Sequence, residues 1–210
     1  MSMRPLHLTF TPAAASTNGL AAGLTGAGPW AAANFTLLAP SDGLAHTINL
    51  TSAANLSGIN ITVTGTDADG VALSETRAGP NANTVATTAY FKTVTGISAA
   101  STLGANTMDT GWAATFVSQT IPLEIYEQVA TTCHVEATGT VGFDIEGTGS
   151  NIRASAAALQ SSFSWLNDAN FTAKTASLAA ALAVNWRAIR LVGNSYTAPA
   201  TLILDVITGK

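Results

Sequence analysis

The stretch "INITVTGTDADGVALSETR", residues 59–77, decides the fold class of this chain. Apolar residues at positions 59, 61 and 63 alternate with polar residues at 60, 62 and 64, which is typical of an antiparallel strand with one buried face. Val71 and Leu73 resume the inward pattern after a turn. Asp69-Gly70 is a dipeptide that favours the positive φ of a tight hairpin. The stretch therefore predicts two antiparallel strands joined by a hairpin.

The same stretch raises the alternative of a calcium site. The run Asp67-Ala68-Asp69-Gly70 copies the opening of a calcium-binding loop, which needs further oxygen ligands two residues apart and a late bidentate Glu. Here the chain continues with apolar residues 71–73, and Glu75 comes too early. We therefore predict a hairpin turn and no metal ligands.

Short runs of the same kind recur from Trp30 onward, separated by Gly, Asn, Asp and Pro, as in β-sandwiches and barrels. Ile48 and Leu50 alternate with polar neighbours. Only residues 155–167 and 175–184 have a helix-compatible composition, and we expect at most a short helix or an ordered loop there. The prediction is an all-β chain, with further inward positions expected at Val135, Ala137, Val141, Phe143 and Ile145.

The domain organisation follows from composition and spacing. Residues 13–29 are small, flexible and without a sustained period, so they cannot bury enough apolar area to fold alone. Residues 90–110 and 185–206 share a loose pattern, which indicates either an internal duplication or chance. We predict an extended N-terminal arm (1–30) and two small antiparallel β-sandwich, jelly-roll-like units (31–118 and 119–210).

Charge is scarce in this chain. Charged residues make up 10% of it, against roughly 25% in ordinary soluble domains. Such a surface lacks electrostatic protection against association, so we expect neighbouring subunits to cover much of it in a homo-oligomer.

Several functional classes are disfavoured by the same composition. A net charge of −4 with scattered basic residues disfavours nucleic-acid binding, which needs clustered Lys and Arg. No apolar run approaches the ~20 residues of a membrane span. Pro5, His7 and Pro12 interrupt the segment that imitates a signal peptide, so we predict none. Cys133 is the only cysteine, which excludes an internal disulfide and a Cys-based zinc site. We expect it to be a small buried hydrophobe, with a reactive thiol as the alternative.

Catalytic patterns are weak. His7, His46 and His134 have no partner at metal-ligand spacing on a predicted helix. His134 shares a strand face with Glu136, which predicts a surface ion pair. Folding could still assemble a Ser-His-Asp triad, but the chain has no G-x-S-x-G motif, and "GTGSN" lies between β segments where it supports no nucleotide loop.

Four carboxylates and five aromatic residues remain as candidates for carbohydrate chemistry. Two acidic residues can form a glycosidase pair, but alternation places Asp144 and Glu146 on the solvent side of a strand. Exposed aromatic rings can stack on sugars, although core and interface anchors are their commoner use. We predict no catalytic, cofactor-binding or metal residues and no enzymatic activity; the residues considered are Glu124, Glu127, Asp144 and Glu146, and Trp112, Phe163, Trp165, Trp186 and Tyr196.

Two stretches resemble virion proteins of tailed bacteriophages and prophages. Residues 58–98 are similar to a module in which a "TVTGTDADG-x-x-L-S-E-T" hairpin precedes a "YFKTVT-x-I" strand. Residues 186–207, "WRAIRLVGNSYTAPATLILDVI", resemble the closing strands of the same proteins. These patterns are structural and contain no catalytic motif.

The resemblance implies a particle-associated protein made in the host cytoplasm and present in many copies. The chain has no long repeats, unlike a tail fibre, and is too short for a major capsid protein. A small all-β protein with an arm suits a capsid decoration, or cement, protein on the capsid surface, whose partners are the major capsid protein and copies of itself. The alternatives are a head-tail joining or tail component, and a glycan- or receptor-binding β-sandwich module.

Overall fold

The computed structural model describes residues 6–123, 131–150, 152, 158 and 160–208. This part of the chain contains β-strands, two short 3-10 helices and no α-helix, so the all-β prediction is confirmed. The 3-10 helices are Ala32–Asn34 and Gln160–Ser162. The strands are β1 Leu6–Phe10, β2 Ser16–Leu24, β3 Trp30–Ala31, β4 His46–Thr51, β5 Asn60–Thr66, β6 Ala72–Ala78, β7 Thr84–Phe91, β8 Thr93–Ala99, β9 Met108–Trp112, β10 Phe116–Val117, β11 Ile121–Pro122, β12 Thr131–Thr148, β13 Leu166–Asn167, β14 Leu178–Ala181 and β15 Ala188–Thr208.

The chain folds as two compact units. Ala15–Ala113 form one, here called the inserted unit. Met1–Ala14 and Ala114–Lys210 together form the other, here called the flanking unit. The predicted boundary at 118/119 thus lies five residues beyond the observed one, and the flanking unit takes its first strand from the N-terminal segment.

The inserted unit consists of two four-stranded antiparallel sheets. The first has the order β2-β9-β4-β7 and the second the order β3-β8-β5-β6. Both sheets contribute to one core, whose buried side chains include Leu20, Ile48, Leu50, Ile61, Val63, Phe91, Ile97 and Met108. The predicted inward faces of β4 and β5 are therefore confirmed.

The predicted hairpin is present as β5–β6, in register from Asn60↔Ala78 to Thr66↔Ala72. Its turn is longer than the predicted two residues, because residues 67–71 lie between the last paired positions. Gly70 alone takes a positive φ, +85°, and its N–H donates to the Asp67 carbonyl at 3.1 Å. Glycine is favoured at this position because a side chain there would strain the backbone.

The flanking unit is built on two long antiparallel strands, β12 and β15, in a sheet of seven strands. One end of β15 pairs with β10 and β11, and the other end pairs with β1. β12 similarly pairs with β14 near its start and with β13 near its end. This strand order differs from that of the inserted unit, so the described strands of the two units do not repeat one topology.

The N-terminal segment differs from the expected arm. Leu6–Phe10 pair with β15 in the flanking unit, and Ser16–Leu24 pair with β9 in the inserted unit. A Cβ on Gly111 would lie 2.0 Å from the Ser16 carbonyl oxygen. The absence of a side chain at Gly111 thus lets the backbones of β2 and β9 approach closely enough to pair.

The two helix-compatible segments are not helical in their described parts. The segment 155–167 contains only the 3-10 turn Gln160–Ser162 and β13, and 175–184 contains β14. Pairing with β12 overrides the helix propensity of the alanine run.

Candidate interaction surface

The outer face of the second sheet is covered by small uncharged side chains. On β5 the residues Thr62 and Thr64 alternate with Ile61 and Val63, which are buried in the core. Register places the neighbouring residues of β6 and β8 on the same face. We call this surface the threonine face; it comprises Thr62, Thr64 and Thr66 of β5, Ala72, Ser74 and Thr76 of β6, and Thr93, Gly96 and Ser98 of β8.

The threonine hydroxyls of this face hydrogen-bond within the sheet. Thr62 and Thr76 share a bond of 2.7 Å between their Oγ1 atoms, and Thr66 and Thr93 share another of 2.7 Å. The Thr64 hydroxyl donates to the Gly96 carbonyl at 3.0 Å. These five threonine hydroxyls are therefore hydrogen-bonded without solvent.

Covering a surface of this kind with another protein costs little free energy. Burying a hydroxyl costs free energy chiefly when its hydrogen bond is lost. Small side chains also lose little rotamer entropy on burial. No member of the threonine face carries a charge, so no ion would be desolvated by a neighbour.

Two exposed leucines lie beside the threonine face. Leu37 is 48% exposed and Leu38 is 44% exposed. The Leu38 carbonyl accepts the Val94 N–H at 2.8 Å, and the Thr36 N–H donates to the Leu20 carbonyl at 2.7 Å. Leu38 is therefore hydrogen-bonded to β8 at Val94, and Thr36, two residues before it, is hydrogen-bonded to β2.

Charges are found at one end of the threonine face. Asp69 lies in the exposed β5–β6 turn, and half-buried Lys92 immediately precedes β8. The Lys92 N–H donates to the Thr66 carbonyl at 2.8 Å, which places Lys92 at the same end of the strands as the turn. The face is thus flanked at that end by one negative and one positive side chain.

Glu75, which comes too early in the sequence for a calcium loop, connects the edge strands of the two sheets of the inserted unit. It projects from β6, the edge of one sheet, to β7, the edge of the other. Its carboxylate accepts the Ala89 N–H at 2.7 Å and the Thr88 N–H at 2.9 Å. Arg77 donates to the Thr88 hydroxyl at 3.0 Å. These bonds connect the two edge strands.

Asp67 acts as a turn cap. The Asp67 carboxylate accepts the N–H groups of Asp69 at 3.0 Å and Val71 at 2.9 Å through the same oxygen. This Asx-type arrangement stabilises the turn locally and gives the Asp67 carboxylate a structural role.

A row of two imidazoles and one carboxylate spans β1, β15 and β12. His7 Nδ1 lies 2.6 Å from Asp205 Oδ1, and His134 Nδ1 lies 3.5 Å from Asp205 Oδ2. The hydrogen bond from His7, with a smaller contribution from His134, lowers the pKa of Asp205. His134 thus lies against Asp205 instead of forming the predicted pair with Glu136, because antiparallel register places His134 and Asp205 opposite each other.

His46 and Cys133 are interior residues. His46 Nε2 lies 2.8 Å from Asp42 Oδ2, and both side chains are almost fully buried. Burial, with a smaller contribution from Asp168, raises the pKa of the Cys133 thiol to about 12. This thiol is buried and protonated at neutral pH, in agreement with its prediction as a small hydrophobe.

The carboxylates of β12 correct the sequence analysis. Asp144 is buried instead of solvent-facing; it accepts hydrogen bonds from Asn194 and from the Ala173 backbone. Glu146 pairs with Arg190 through two short bonds of 2.7 and 2.6 Å. Segments distant in sequence cover this face, which local alternation cannot reveal. Glu124 and Glu127 lie outside the described residues.

Asp168, which the sequence analysis did not identify, organises the loop beside β12. It is fully buried. Its carboxylate accepts the Ala183 N–H at 2.8 Å, the Asn170 N–H at 3.1 Å and the Trp186 Nε1–H at 3.0 Å. Trp186 is therefore hydrogen-bonded to a buried carboxyl group as part of the fold.

The other candidate aromatic residues also have structural contacts. Trp112 belongs to the core of the inserted unit, and the Tyr196 hydroxyl donates to the Ala13 carbonyl at 2.6 Å. Trp165 is half-buried, donates to the Gln160 carbonyl and packs under Arg190, whose Cζ lies 4.4 Å from the ring centroid. Phe163 meets Trp165 edge to face. These contacts favour anchoring over sugar stacking.

Comparisons with known proteins leave the surface as the main guide to function. Neither protein-family models nor curated proteins match this chain. Within the described ranges, no three His, Cys, Asp or Glu side chains are arranged to hold a metal ion. A helix with the length and apolar character of a membrane span is likewise absent from those ranges.

Proposed function

We propose that this chain is a non-enzymatic structural protein of a tailed-phage particle that decorates the capsid surface. Its partners are the major capsid protein and further copies of itself, and it is made in the host cytoplasm. By adding contact area across the joints between capsomers, it opposes the internal pressure of packaged DNA.

The strand order of the inserted unit supports this proposal. Eight strands, β2 to β9, form sheets ordered β2-β9-β4-β7 and β3-β8-β5-β6. We infer from this order that the inserted unit is a jelly roll, an architecture shared by viral capsid and lectin domains. Because the fold serves both kinds of protein, the surface must distinguish between them.

The threonine face is the observation that favours a capsid decoration protein over a lectin. Its residues are uncharged and its paired hydroxyls are satisfied within the sheet. It offers no aromatic ring to a sugar, whereas a neighbouring protein can cover it at little cost in desolvation or entropy. A cement protein needs such a surface because it acts by being covered, one copy at each of many equivalent positions.

The scarcity of charge in the inserted unit agrees with the same role. Its 99 residues contain seven charged side chains. Several of these are committed to internal contacts, as Glu75 is. The seven are Asp42, Asp67, Asp69, Glu75, Arg77, Lys92 and Asp109.

A reconstruction of the particle whose genome encodes this chain tests the proposal. We expect density for both units on the outside of the head, at symmetry-related positions over joints between capsomers. Mixing purified protein with expanded heads that lack it should restore that density and raise the temperature at which the heads rupture. Density at the neck or tail would instead assign a head-tail joining or tail role, and absence from the particle would overturn the proposal.

A glycan array separates the lectin alternative. Decoration predicts no glycan-dependent signal for the wild-type chain. A signal that Trp165→Ala removes, while thermal unfolding of that variant stays within a few degrees of wild type, would favour the glycan-binding module.

A further inference from the structure

The geometry points to a symmetric contact between two copies of this chain through the threonine face and its leucine edge. This inference rests on the proposed multi-copy role and specifies one of its contacts. The surface has four columns: β6, β5, β8 and a fourth beyond β8, which consists of β3 and, beside Val94, of the Leu37–Leu38 segment.

A two-fold axis lying in this surface, parallel to the strands and midway between β5 and β8, makes the columns complementary. It places β5 of one copy over β8 of the other. It also places the Leu37–Leu38 segment of one copy over β6 of the other, at the end where exposed Ala72 lies. Exposed leucines of one copy thus meet small side chains of the other, and every such contact occurs twice, as an isologous interface requires.

The charges at the end of the face become complementary under the same axis. Asp69, in the β5–β6 turn of one copy, lies opposite Lys92 at the start of β8 in the other. Two Asp69–Lys92 ion pairs therefore lie at the same end of the uncharged surface, one on each side of the axis. Charge complementarity of this kind fixes the register of an interface.

The size of the surface sets the strength of the contact. Four columns at strand spacing and about seven residues of length cover about 400 Å². A stable pair buries about 800 Å² on each partner. The contact is therefore weak between free copies and becomes effective when many copies are held side by side.

Sedimentation velocity of the full-length chain, from micromolar to near-millimolar concentration, tests the contact. The wild type should show a reversible, concentration-dependent rise in mass. Ser74→Arg places a charge on an exposed position of the face and should weaken association about tenfold or more. Thr84→Arg, the same change on exposed β7 of the other sheet, is the matched control and should leave association unchanged.

A charge exchange tests the proposed register. Lys92→Asp brings two acidic side chains together and should weaken association, whereas the double variant Asp69→Lys/Lys92→Asp should restore it. Lys174→Asp, in the flanking unit, controls for net charge. Mixing Leu38→Cys with Ala72→Cys chains should give a disulfide-linked heterodimer, because the contact brings these two positions together. The native Cys133 thiol is buried and should not compete.

A wild-type chain that stays monomeric throughout, or association equally sensitive to Ser74→Arg and Thr84→Arg, would overturn the inference. Failure of the double variant to restore association would do the same. Particle binding is measured separately with the same variants. A monomeric chain that still coats heads removes only this contact, whereas a self-associating chain absent from particles removes the proposed function.

Discussion

At the scale of single residues, buried polar atoms are nearly all satisfied, and the exception is informative. Thr110 is fully buried, and its Oγ1 is the one buried side-chain polar atom without a hydrogen-bond partner in the described part of the chain. Thr87, in the same unit, accepts the Ile48 N–H and donates to the Ala89 carbonyl, each at 2.8 Å. The two threonines therefore differ in what a hydroxyl contributes.

Replacing Thr110 with Val should stabilise the protein by about 1 kcal/mol, because an isosteric methyl removes an unsatisfied buried hydroxyl. Thr87→Val should destabilise it by about 1–2 kcal/mol, since it leaves the Ile48 N–H without its acceptor. Urea unfolding of both variants measures the free energies. Destabilisation by Thr110→Val would mean that this hydroxyl has a hydrogen-bond partner in solution.

At the scale of elements, alternation predicted strands well wherever one face of a strand is buried by its own sheet. β4 and β5 follow their predicted inward positions. Residues 84–99 are rich in β-branched and aromatic residues throughout, yet they form two strands, because the chain crosses from one sheet to the other at Lys92. The local sequence pattern indicates that a residue is in an extended conformation, whereas only the strand pairing shows which sheet the residue belongs to.

The connection between β6 and β7 gives a testable consequence. Glu75→Ala leaves the Thr88 and Ala89 N–H groups without their acceptor, and we expect a loss of about 2 kcal/mol in the free energy of unfolding. Glu75→Gln keeps one carbonyl acceptor and should lose less. Ser74→Ala, at the neighbouring exposed position of β6, is the comparison and should change stability little. Chemical denaturation would establish the order of the three stabilities, provided that the free energy of unfolding depends equally on denaturant concentration in each variant. Equal stabilities for all three variants would contradict the prediction.

The attachment of β1 to β15 should depend on pH through Asp205. The pKa of this carboxyl is lowered in the folded state by His7 and, to a smaller extent, His134. A lowered pKa contributes stability above the unfolded-state value of about 3.9, and that contribution is lost as pH falls through the folded-state pKa. Wild type should therefore exceed Asp205→Asn in stability at pH 5.5.

The difference between these two chains should shrink as the pH is lowered below about 4. Unfolding at a series of pH values, with hydrogen exchange of the β1 amides, follows both the global and the local effect. A difference that stays constant down to pH 2.5 would show that the carboxylate charge has no part in holding β1.

At the scale of the whole molecule, the chain is one unit inserted into another. The ends of the inserted unit meet, since Ser16 is the register partner of Trp112. Within the flanking unit, Tyr196 contacts both segments that border the insertion. Its hydroxyl donates to the Ala13 carbonyl, and its ring packs edge to face on Phe116 with 5.8 Å between the ring centroids. Each unit therefore closes on itself.

Excision should yield two folding proteins. Residues 15–113 expressed alone should unfold cooperatively, because their core is internal to the unit. The remaining chain, with Ala14 joined to Ala114 through a short Gly-Ser linker, should keep the circular-dichroism signature of β-strand. If either piece is unfolded while the full chain is cooperative, the two units depend on each other for stability.

The sequence by itself determined the all-β class, the hairpin at residues 59–77 and the buried positions of β4 and β5, because strand periodicity is a local property written in side-chain polarity. Tertiary structure alone decided the pairing of the Ala- and Gly-rich residues 16–24, the burial of Asp144 and the meeting of His7 and His134 at Asp205. It also decided that the outward threonines of β5 form one continuous surface with β6 and β8. These features join residues that are distant along the chain, and their free energy depends on partners that no local window contains.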